Sequence, residues 1–260
     1  MRLATWNVNS VRLRLDQLGR IDQDLRPDVL CLQETKVTDE LFPRDAFASL
    51  GFIHQALLGQ KSYNGVAILS RRPLAAVTVR NWCGREDCRH LVATVDGLEV
   101  HCLYIPAGGD IPDPAQNEKF AHKLDFLESV TAWFAGLGND RPRAVLGDFN
   151  IAPLESDVWS HRQMLKVVSH TPVEIAKAAE LQKSLSFVDA VRHFVPETQR
   201  LSTWWSYRAA DWTKSDRGRR LDHIWVTPDL KPRLAVARIL TDSRGWTPPS
   251  DHVPVMVELA

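Results

Sequence analysis

The segment "RAVLGDFNIAP", residues 143–153, ends an apolar run with two short polar side chains suited to holding a water molecule, a phosphate or a metal ion. Asp148 and Asn150 are separated by Phe149, and residues i and i+2 of an extended chain point to the same side. We therefore expect the two polar groups to face one point while Phe149 packs on the other side. The alternative is an ordinary polar turn, because Gly, Asp, Asn and Pro are common turn residues.

Polar residues of the same types recur where other apolar segments begin or end. They are Asn7 and Asn9 in "TWNVNS", Glu34 in "CLQET", Tyr104 in "LYIPAGG", Asp222 in "RRLDHIW", and Asp251 and His252 in "SDHVPV". One such residue is usually a helix cap or a turn, but a set drawn from several strands favours a shared cluster. Carboxylate and carboxamide oxygens suit Mg²⁺, and the sequence has no Cys/His set of the kind that zinc prefers.

His252 needs a carboxylate to orient its imidazole ring if it takes part in chemistry. Asp251 is badly placed for this, because neighbouring residues of a strand point to opposite faces. Asp222 is the better candidate partner. The alternative for any single histidine is a structural residue whose hydrogen bonds are satisfied in the core.

Composition limits the class of protein. A chain of 260 residues, 44% of them hydrophobic, can bury one large core or two smaller ones. Its formal net charge of zero argues against a uniformly basic surface but leaves room for a local basic patch. The four cysteines form no CxxC pair, which predicts reduced thiols. The sequence has no signal-peptide pattern and no apolar run near the roughly 20 residues of a membrane span, so we expect a cytoplasmic protein without membrane contact.

Runs rich in Val and Ile, bounded by Gly, Pro, Asp or Asn, predict a series of strands. These are residues 3–8, 29–33, 65–70, 75–79, 91–95, 99–105, 144–146, 224–227, 235–240 and 253–259. Asp96-Gly97 suits a type I′ turn and predicts a hairpin. Apolar spacing predicts helices at 11–25, 117–134 and 172–185, the last a plain surface helix. The mixed order, without repeats or linkers, predicts one domain over residues 1–260.

Residues 200–220, "RLSTWWSYRAADWTKSDRGRR", are called the basic aromatic segment below. The segment carries six basic residues against two acidic ones, interleaved with three tryptophans and a tyrosine. Cations bind phosphates, and aromatic faces stack on unstacked bases, so the segment indicates contact with DNA. Trp204 and Trp205 point to opposite sides if the chain is extended, which predicts that one of them belongs to the core.

Seven motifs in their order and spacing resemble the exonuclease III family of class II apurinic/apyrimidinic endonucleases, within the endonuclease/exonuclease/phosphatase superfamily. They are "TWNVNS", "LQET", "YNGVAILS", "YIPAGG", "GDFNIAP", "RLDHIWV" and "SDHVPV", and the resemblance spans residues 3–258. It implies an α/β fold of the DNase I-like type. Two mixed β-sheets flanked by helices would form a four-layer αββα sandwich, with the site at one edge.

The resemblance also implies a role for each matching residue. Glu34 would bind the divalent metal, usually Mg²⁺ with Mn²⁺ as a possible substitute, with Asn7 in support and Asp251 nearby. Asp148 would activate or orient the attacking water, although a metal-bound hydroxide is an alternative base. Asn150 would hold the phosphate or position Asp148.

The remaining implied roles concern the substrate. His252 would contact the scissile phosphate with Asp222 fixing its ring, and Tyr104 and Tyr63 would contact the phosphate region. The family places its damage-recognition aromatics in the basic aromatic segment, which points to Trp204 or Trp205. The other expected substrate-binding residues are Asn9, Arg208, Arg219 and Leu221.

Two positions depart from the family pattern. Where the family often has an asparagine in "YxPN", this chain has Ala107, so that phosphate contact is lost or is replaced by the backbone N–H groups of Gly108 and Gly109. The family also tends to keep an apolar residue at the position of Arg219, in the wall that accepts the baseless sugar.

The function implied is that of a divalent-metal-dependent DNA-repair nuclease, acting on double-stranded DNA with abasic sites or 3′ ends. It would cleave the phosphodiester bond 5′ to an abasic site and act as a 3′–5′ exonuclease and 3′-phosphatase, as a monomer. The enzymatic alternative is a superfamily phosphoesterase that acts on RNA 3′ tails or on a small phosphorylated molecule. A non-catalytic nucleic-acid-binding relative should have lost some of the polar residues named above, and all are present.

Overall fold

The computed structural model describes residues 1–209 and 211–260, and the strands within these residues form two six-stranded mixed sheets. The first sheet has the order β11-β12-β1-β2-β4-β3 and the second the order β5-β6-β7-β8-β10-β9. The strands are β1 Arg2–Asn7, β2 Val29–Gln33, β3 His54–Leu58, β4 Val66–Ser70, β5 Ala75–Trp82, β6 Arg85–Val95, β7 Leu98–Leu103, β8 Arg143–Asp148, β9 Val188–Asp189, β10 Asp222–Val226, β11 Leu234–Ile239 and β12 Val255–Leu259.

Six α-helices lie within the described residues, and four of them cover the outer faces of the sheets. The six helices are α1 Leu18–Leu25, α2 Arg44–Ser49, α3 Glu118–Ala135, α4 His161–Met164, α5 Pro172–Ser184 and α6 Trp212–Ser215. Short 3₁₀ helices occupy Val11–Gln17, Asp39–Leu41, Glu155–Asp157, Pro228–Arg233 and Thr241–Gly245. Helices α1 and α2 pack on the first sheet, and α3 and α5 pack on the second. The four-layer αββα sandwich predicted from the resemblance is confirmed.

Strands in the middle of each sheet bury both faces. In β8, Ala144 and Leu146 point into the core between the sheets, while Val145 points to α3 and α5. In β1, Leu3 points into the same central core and Ala4 points to α1. Because both faces of such strands are apolar, most polar side chains lie at the strand ends, and the exceptions, such as Thr5, His90 and His101, are hydrogen-bonded within the core.

All ten predicted strands are present, β2 with the predicted ends and the others with shifted ends, and two strands among the described residues, β3 and β9, were not predicted. The sequence of β3 shows no regular alternation of apolar and polar residues. β9 has two residues, which are too few to show any alternation. The predicted helix 11–25 is divided into a 3₁₀ helix and α1, because Arg14 takes non-helical angles, φ −117° and ψ 15°. Its buried guanidinium donates instead to the carbonyl of Pro249 and the hydroxyl of Tyr207.

Local predictions can also be checked. Asp96 and Gly97 both have positive φ, 48° and 83°, as a type I′ hairpin turn between β6 and β7 requires. All four thiols are free, with Cys31 and Cys102 buried. Among the described residues, no helix combines the length and the apolarity that crossing a membrane demands.

A buried chain of hydrogen bonds lies on the second sheet beneath α3. Trp82 Nε1 donates to His90 Nδ1 (3.3 Å), and His90 Nε2 lies 3.0 Å from His101 Nδ1. His101 Nε2 lies 3.0 Å from Glu99 Oε1, which also accepts from Arg143 Nε at 2.8 Å. An indole N–H can only donate, so Trp82 donates to His90. When both imidazoles are neutral, His90 therefore donates to His101 and His101 donates to Glu99. The bonds from His101 and Arg143 lower the pKa of Glu99 to about 2.

The Glu99→Gln variant is expected to unfold more easily than the wild type at neutral pH, with a difference that shrinks in acid. The pKa of Glu99 is about 2 in the folded chain and about 4.3 in the unfolded chain. Its ionised form therefore stabilises the fold fully above about pH 4.3, and this stabilisation is lost as the pH falls toward about 2. Urea unfolding at about pH 7 and about pH 3.5 measures the difference. Glu180→Gln, an exposed change on α5, is the control. An equal difference at both pH values would contradict the prediction.

Candidate active site at the sheet edge

The polar strand ends meet at one edge of the sandwich. β1 and β2 are parallel, as are β7 and β8, so these pairs leave their sheets side by side. β12 is antiparallel to β1 and β10 is antiparallel to β8, so both begin where their partners end. The side chains brought together at this edge are Asn7, Glu34, Tyr104, Asp148, Asp222 and His252.

A buried carboxamide joins the two sheets at this edge. Asn7 Nδ2 donates to Glu34 Oε1 and to Asp148 Oδ2, both at 2.9 Å. The Asn7 side-chain oxygen accepts from the backbone N–H of Asn9, so the amide has one orientation. Tyr104 donates its hydroxyl proton to Glu34 Oε1 at 2.8 Å. Glu34 and Asp148 therefore share one donor without contacting each other.

Asp148 and Asn150 are held together by a turn rather than by a shared strand face. β8 ends at Asp148, and Asn150 has a left-handed backbone with φ 53°, so the expected extended geometry is wrong. Asn150 donates its backbone N–H to Asp148 Oδ1 at 2.8 Å and its amide to Asp148 Oδ2 at 3.2 Å and Ile105 O at 2.9 Å. Asparagine tolerates this conformation because its short side chain bonds locally. Phe149 is buried and stacks on His223.

His252 lies between two buried carboxylates. Its Nδ1 is 2.9 Å from Asp222 Oδ2, and its Nε2 is 3.6 Å from Asp148 Oδ2. Thr203 donates its hydroxyl proton to Asp222 Oδ2 at 2.6 Å. Asp251 points elsewhere, accepting from Asn9 Nδ2 at 2.9 Å and Trp204 Nε1 at 3.0 Å. Asp222, not the adjacent Asp251, therefore orients the ring.

The charges of this group follow from burial and from one another. Burial raises the pKa of Asp148 to about 7, opposed by the positive charge of His252. Burial alone would lower the pKa of His252, but the carboxylates of Asp222 and Asp148 outweigh it and raise the pKa to about 10. A carboxylate that exchanges its proton near neutral pH, beside an imidazolium, is suited to accept a proton from water.

Glu34 remains ionised although it is largely buried. Burial acts to raise its pKa, but the Lys36 ammonium at 2.7 Å and the bond from Asn7 lower it. Burial, and then the charge of Glu34, raise the pKa of Tyr104, so its hydroxyl keeps its proton.

Carboxylate oxygens at this edge fit a hard divalent cation. Glu34 Oε2 faces an ammonium, so the surroundings already accept a positive charge at that oxygen. Asp148, Asp222 and His252 also lie within 4.8 Å of one another, but the protonated imidazole of His252 makes this trio suited to proton transfer rather than to holding a metal. Asn7 uses both amide protons on carboxylates, so it supports Glu34 by donation. Oxygen donors of this kind suit Mg²⁺ or Mn²⁺ better than zinc.

The site opens into a cleft of about 600 Å³. Residues from the sequence predictions that line the cleft are Glu34, Asn150, Trp204, Arg208, Arg219, Leu221, Asp251 and His252. Arg217 of the basic aromatic segment also lines the cleft, together with residues that the sequence predictions missed, which are Trp159, Met164, Val167 and Val168. The cleft therefore combines a charged end with an aromatic and cationic wall.

Arg219 is fixed in the wall of the cleft. Its guanidinium lies over the Trp204 ring, 4.9 Å from the centroid, and Nη1 donates to Val168 O at 3.1 Å and Ser169 Oγ at 3.0 Å. The backbone of Trp204 pairs with both Arg219 and His252 in antiparallel bridges. Residues directly opposite in such bridges point to the same face, so these three side chains form a row.

Three predicted substrate residues lie differently from the others. Tyr63 is 72% exposed and does not line the cleft within the described residues. Trp205 is buried and packs edge-on against Trp212, so it is the core member of the tryptophan pair. The Asn9 amide donates to Asp251, so Asn9 positions that carboxylate rather than facing the substrate.

Lys36, Thr203 and Trp159 at the site were not singled out from the sequence. Lys36 follows Glu34 by two residues in "QETK", which is the available sequence signal. Thr203 reaches Asp222 across 19 residues, and no local pattern marks it. Trp159 stacks under Arg217 at 4.7 Å, an arrangement built from two distant loops.

The Asp222→Asn variant is expected to lower the pKa of His252, because the nearest negative charge that raises it is removed. Side-chain ¹⁵N NMR of the imidazole across a pH titration measures the change, with His252→Gln used to assign the signal. Thr203→Val, which removes the hydroxyl bond to Asp222 and keeps its charge, is the control. An unchanged titration in Asp222→Asn would show that Asp222 does not set the charge of His252.

Comparison with known proteins assigns the family. Residues 4–252 match the model of the Endonuclease/Exonuclease/phosphatase family. Exodeoxyribonuclease III of Haemophilus influenzae is 29% identical over 272 residues, covering 99% of each chain. The 3′ phosphatase NExo from Neisseria, solved with a product DNA hairpin, is 32% identical with a TM-score of 0.92, covering 100% of this chain and 99% of that one. An AP endonuclease from Archaeoglobus fulgidus is 31% identical with a TM-score of 0.92 and the same coverage. The chain belongs to the Endonuclease/Exonuclease/phosphatase family.

Proposed function

We propose that the protein is a divalent-metal-dependent DNA-repair nuclease that hydrolyses phosphate esters in double-stranded DNA. The observation that carries the proposal is the buried Asp148–His252–Asp222 group, which opens into a cleft walled by tryptophan and arginine side chains. Such a cleft supplies a proton acceptor and a cation at a phosphate, with aromatic faces beside them.

Relatives support a role in DNA repair. These relatives are an exodeoxyribonuclease III, a 3′ phosphatase bound to product DNA and an AP endonuclease. These relatives match this chain over nearly their full lengths. The substrates proposed here are therefore duplexes with abasic sites, cleaved 5′ to the site, and duplex 3′ ends.

In the proposed chemistry, Asp148 takes a proton from a water molecule as the water oxygen forms a bond to phosphorus. The bond between phosphorus and the leaving ester oxygen breaks, and that oxygen takes a proton from solvent. Attack builds negative charge on the phosphoryl oxygens, and the imidazolium of His252 stabilises that charge. Both amide protons of Asn150 are used, on Asp148 and on the Ile105 carbonyl, which favours positioning of Asp148 over direct phosphate binding.

Glu34 and Asp251 are the proposed holders of the divalent metal, Mg²⁺ or Mn²⁺, with Asn7 in support. When bound, the metal supplies positive charge that stabilises the phosphate and the leaving 3′ oxygen. Lys36 supplies a positive charge at Glu34 Oε2 from the chain itself. Arg208 and Arg217, which line the cleft, are proposed to bind backbone phosphates.

The polar residues that a non-catalytic relative would lack lie together, which disfavours that alternative: Glu34, Asn150 and His252 line the cleft, and the buried Asp148 and Asp222 flank His252. The enzymatic alternative is a phosphoesterase that acts on RNA 3′ tails or on small phosphorylated molecules. Activity on DNA duplexes distinguishes the two functions. A monomer in the cytoplasm is proposed on the basis of the sequence.

Incision of a duplex with a tetrahydrofuran abasic analogue is expected with Mg²⁺ and not with EDTA. Asp148→Asn is expected to lower the rate by about 10²-fold or more, because it removes the proton acceptor. A labelled duplex with the analogue, an undamaged duplex and a duplex with a 3′-phosphate are compared on denaturing gels. Asp125→Asn, an exposed change on α3, is the control.

Cleavage that persists in EDTA and in Asp148→Asn would contradict the proposed mechanism. Hydrolysis of small phosphate esters without cleavage of any duplex would instead favour the alternative function.

Arg219 is expected to favour 3′-phosphate removal over abasic incision. Its guanidinium adds positive charge that attracts a dianionic phosphate monoester. The same side chain takes up space in the part of the cleft that a baseless sugar would enter. Arg219→Leu is therefore expected to raise the ratio of incision to 3′-phosphate removal by about tenfold. Rates on the two duplexes measure the ratio, with Arg233→Leu, distant on the first-sheet side, as control. An unchanged ratio would exclude Arg219 as the determinant.

A further inference from the structure

Lys123 on α3 is fully buried, and its ammonium has three hydrogen-bond partners. Nζ lies 2.5 Å from Glu174 Oε1, 2.8 Å from the Asn150 carbonyl oxygen and 3.3 Å from the Ala107 carbonyl oxygen. An ammonium has three N–H donors, so each donor is used. Two of the three partners are backbone atoms of loops that line the cleft.

Glu174 on α5 is equally buried, and both of its oxygens are bonded. Oε1 accepts from Lys123 and from the Ser169 backbone N–H at 3.0 Å. Oε2 accepts from the Ser169 and Thr171 N–H groups and from the Thr171 hydroxyl at 2.7 Å. The residue therefore serves both as counter-ion to Lys123 and as the acid of a capping box. The helix that the sequence predicts as a plain surface helix thus carries a buried charge.

The Asn150 carbonyl is the informative partner of Lys123. Asn150 has a left-handed backbone, which costs free energy that surrounding contacts must offset. Its backbone N–H and its amide both bond Asp148. Lys123 therefore contacts the carbonyl side of the peptide turn whose N–H side holds Asp148.

The second loop is attached in the same way. Gly108 has φ 88°, and a Cβ placed on it would lie 2.9 Å from Lys123 Cδ. The Lys123 side chain thus packs against the turn after Tyr104 while its ammonium bonds the preceding carbonyl of Ala107. The loops that follow β7 and β8 therefore both accept a hydrogen bond from Lys123.

A buried ion pair is an expensive way to join two helices. The cost of removing two charges from water often equals or exceeds their attraction, and apolar residues of similar volume are frequently as stabilising. Packing of α3 on α5 is already supplied by Phe126, Leu127 and Leu181. A role beyond helix packing is therefore indicated by the two carbonyl bonds.

We propose that Lys123, neutralised by Glu174, is a positioning residue that fixes the Asn150 turn and through it the orientation of Asp148. The inference deepens the proposed function and rests on it for the catalytic effect. The geometric effect stands separately, because the Asn150 turn exists whatever reaction the cleft performs.

Replacing the pair by Lys123→Met/Glu174→Gln tests the proposal. The variant removes both charges together, so no unpaired charge is buried, and the introduced glutamine keeps an acceptor for the cap. Lys123→Met alone serves as a second variant. The matched control is Lys177→Met/Glu128→Gln, which removes an ion pair of 3.3 Å between the same two helices on the exposed side. Thermal unfolding identifies which variants are folded.

Amide hydrogen exchange of the Asn150 N–H is the first measurement. We expect exchange at least about tenfold faster in the folded Lys123 variants and unchanged in the control, because local opening becomes easier. The second measurement is cleavage of the abasic duplex. We expect kcat to fall by about tenfold or more with KM changed by less than about threefold, since DNA binding groups are untouched.

Wild-type exchange at Asn150 in a folded Lys123 variant would overturn the proposal, and so would a wild-type kcat. A purely structural role would lower the unfolding temperature of the Lys123 variants without changing the exchange of this amide. A wild-type protein that cleaves no duplex would contradict the proposed function, while the exchange result would still decide the role of Lys123.

Discussion

The carboxamide of Asn7 is the interaction on which the site depends. Glu34 comes from the first sheet and Asp148 from the second, and two buried carboxylates brought to one edge would repel each other. Asn7 lies between them with one N–H bond of 2.9 Å to each. The central core sets the distance between the two sheets. The two bonds from Asn7 then hold the carboxylates of Glu34 and Asp148 at a fixed distance from each other.

The architecture could be predicted because buried strands have a simple pattern. Apolar residues on both faces place most polar residues at the strand ends, so "GDFN" and "LQET" already indicate where the chain leaves its sheets and "SDHV" indicates where it enters one. Elements without such a pattern were missed, as with the two residues of β9. The division of the first helix depends on the bonds of Arg14 to Tyr207 and Pro249, which lie far away in the sequence.

The site was predictable in its residues more than in its geometry. Asp148 and Asn150 do act as a pair, but through a left-handed turn whose conformation depends on a lysine 27 residues away. The expected pairing of His252 with Asp222 rather than Asp251 is present, although Asp251 lies in a bend and His252 in an isolated bridge before β12 rather than in a strand. The wall around Trp159 could not be anticipated, since it is made where separate loops meet.

Trp204 connects the aromatic wall to the acidic end of the cleft. Its indole N–H is bonded to Asp251, while its ring carries the guanidinium of Arg219. A ligand that stacks on this ring and shifts it changes the hydrogen bonding of an oxygen proposed to hold the cation. Reciprocity then requires that the cation alter the affinity of the ring for its ligand by the same factor. If Asp251 holds the cation as proposed, the Trp204 indole links cation binding at one end of the cleft to ligand binding at the other.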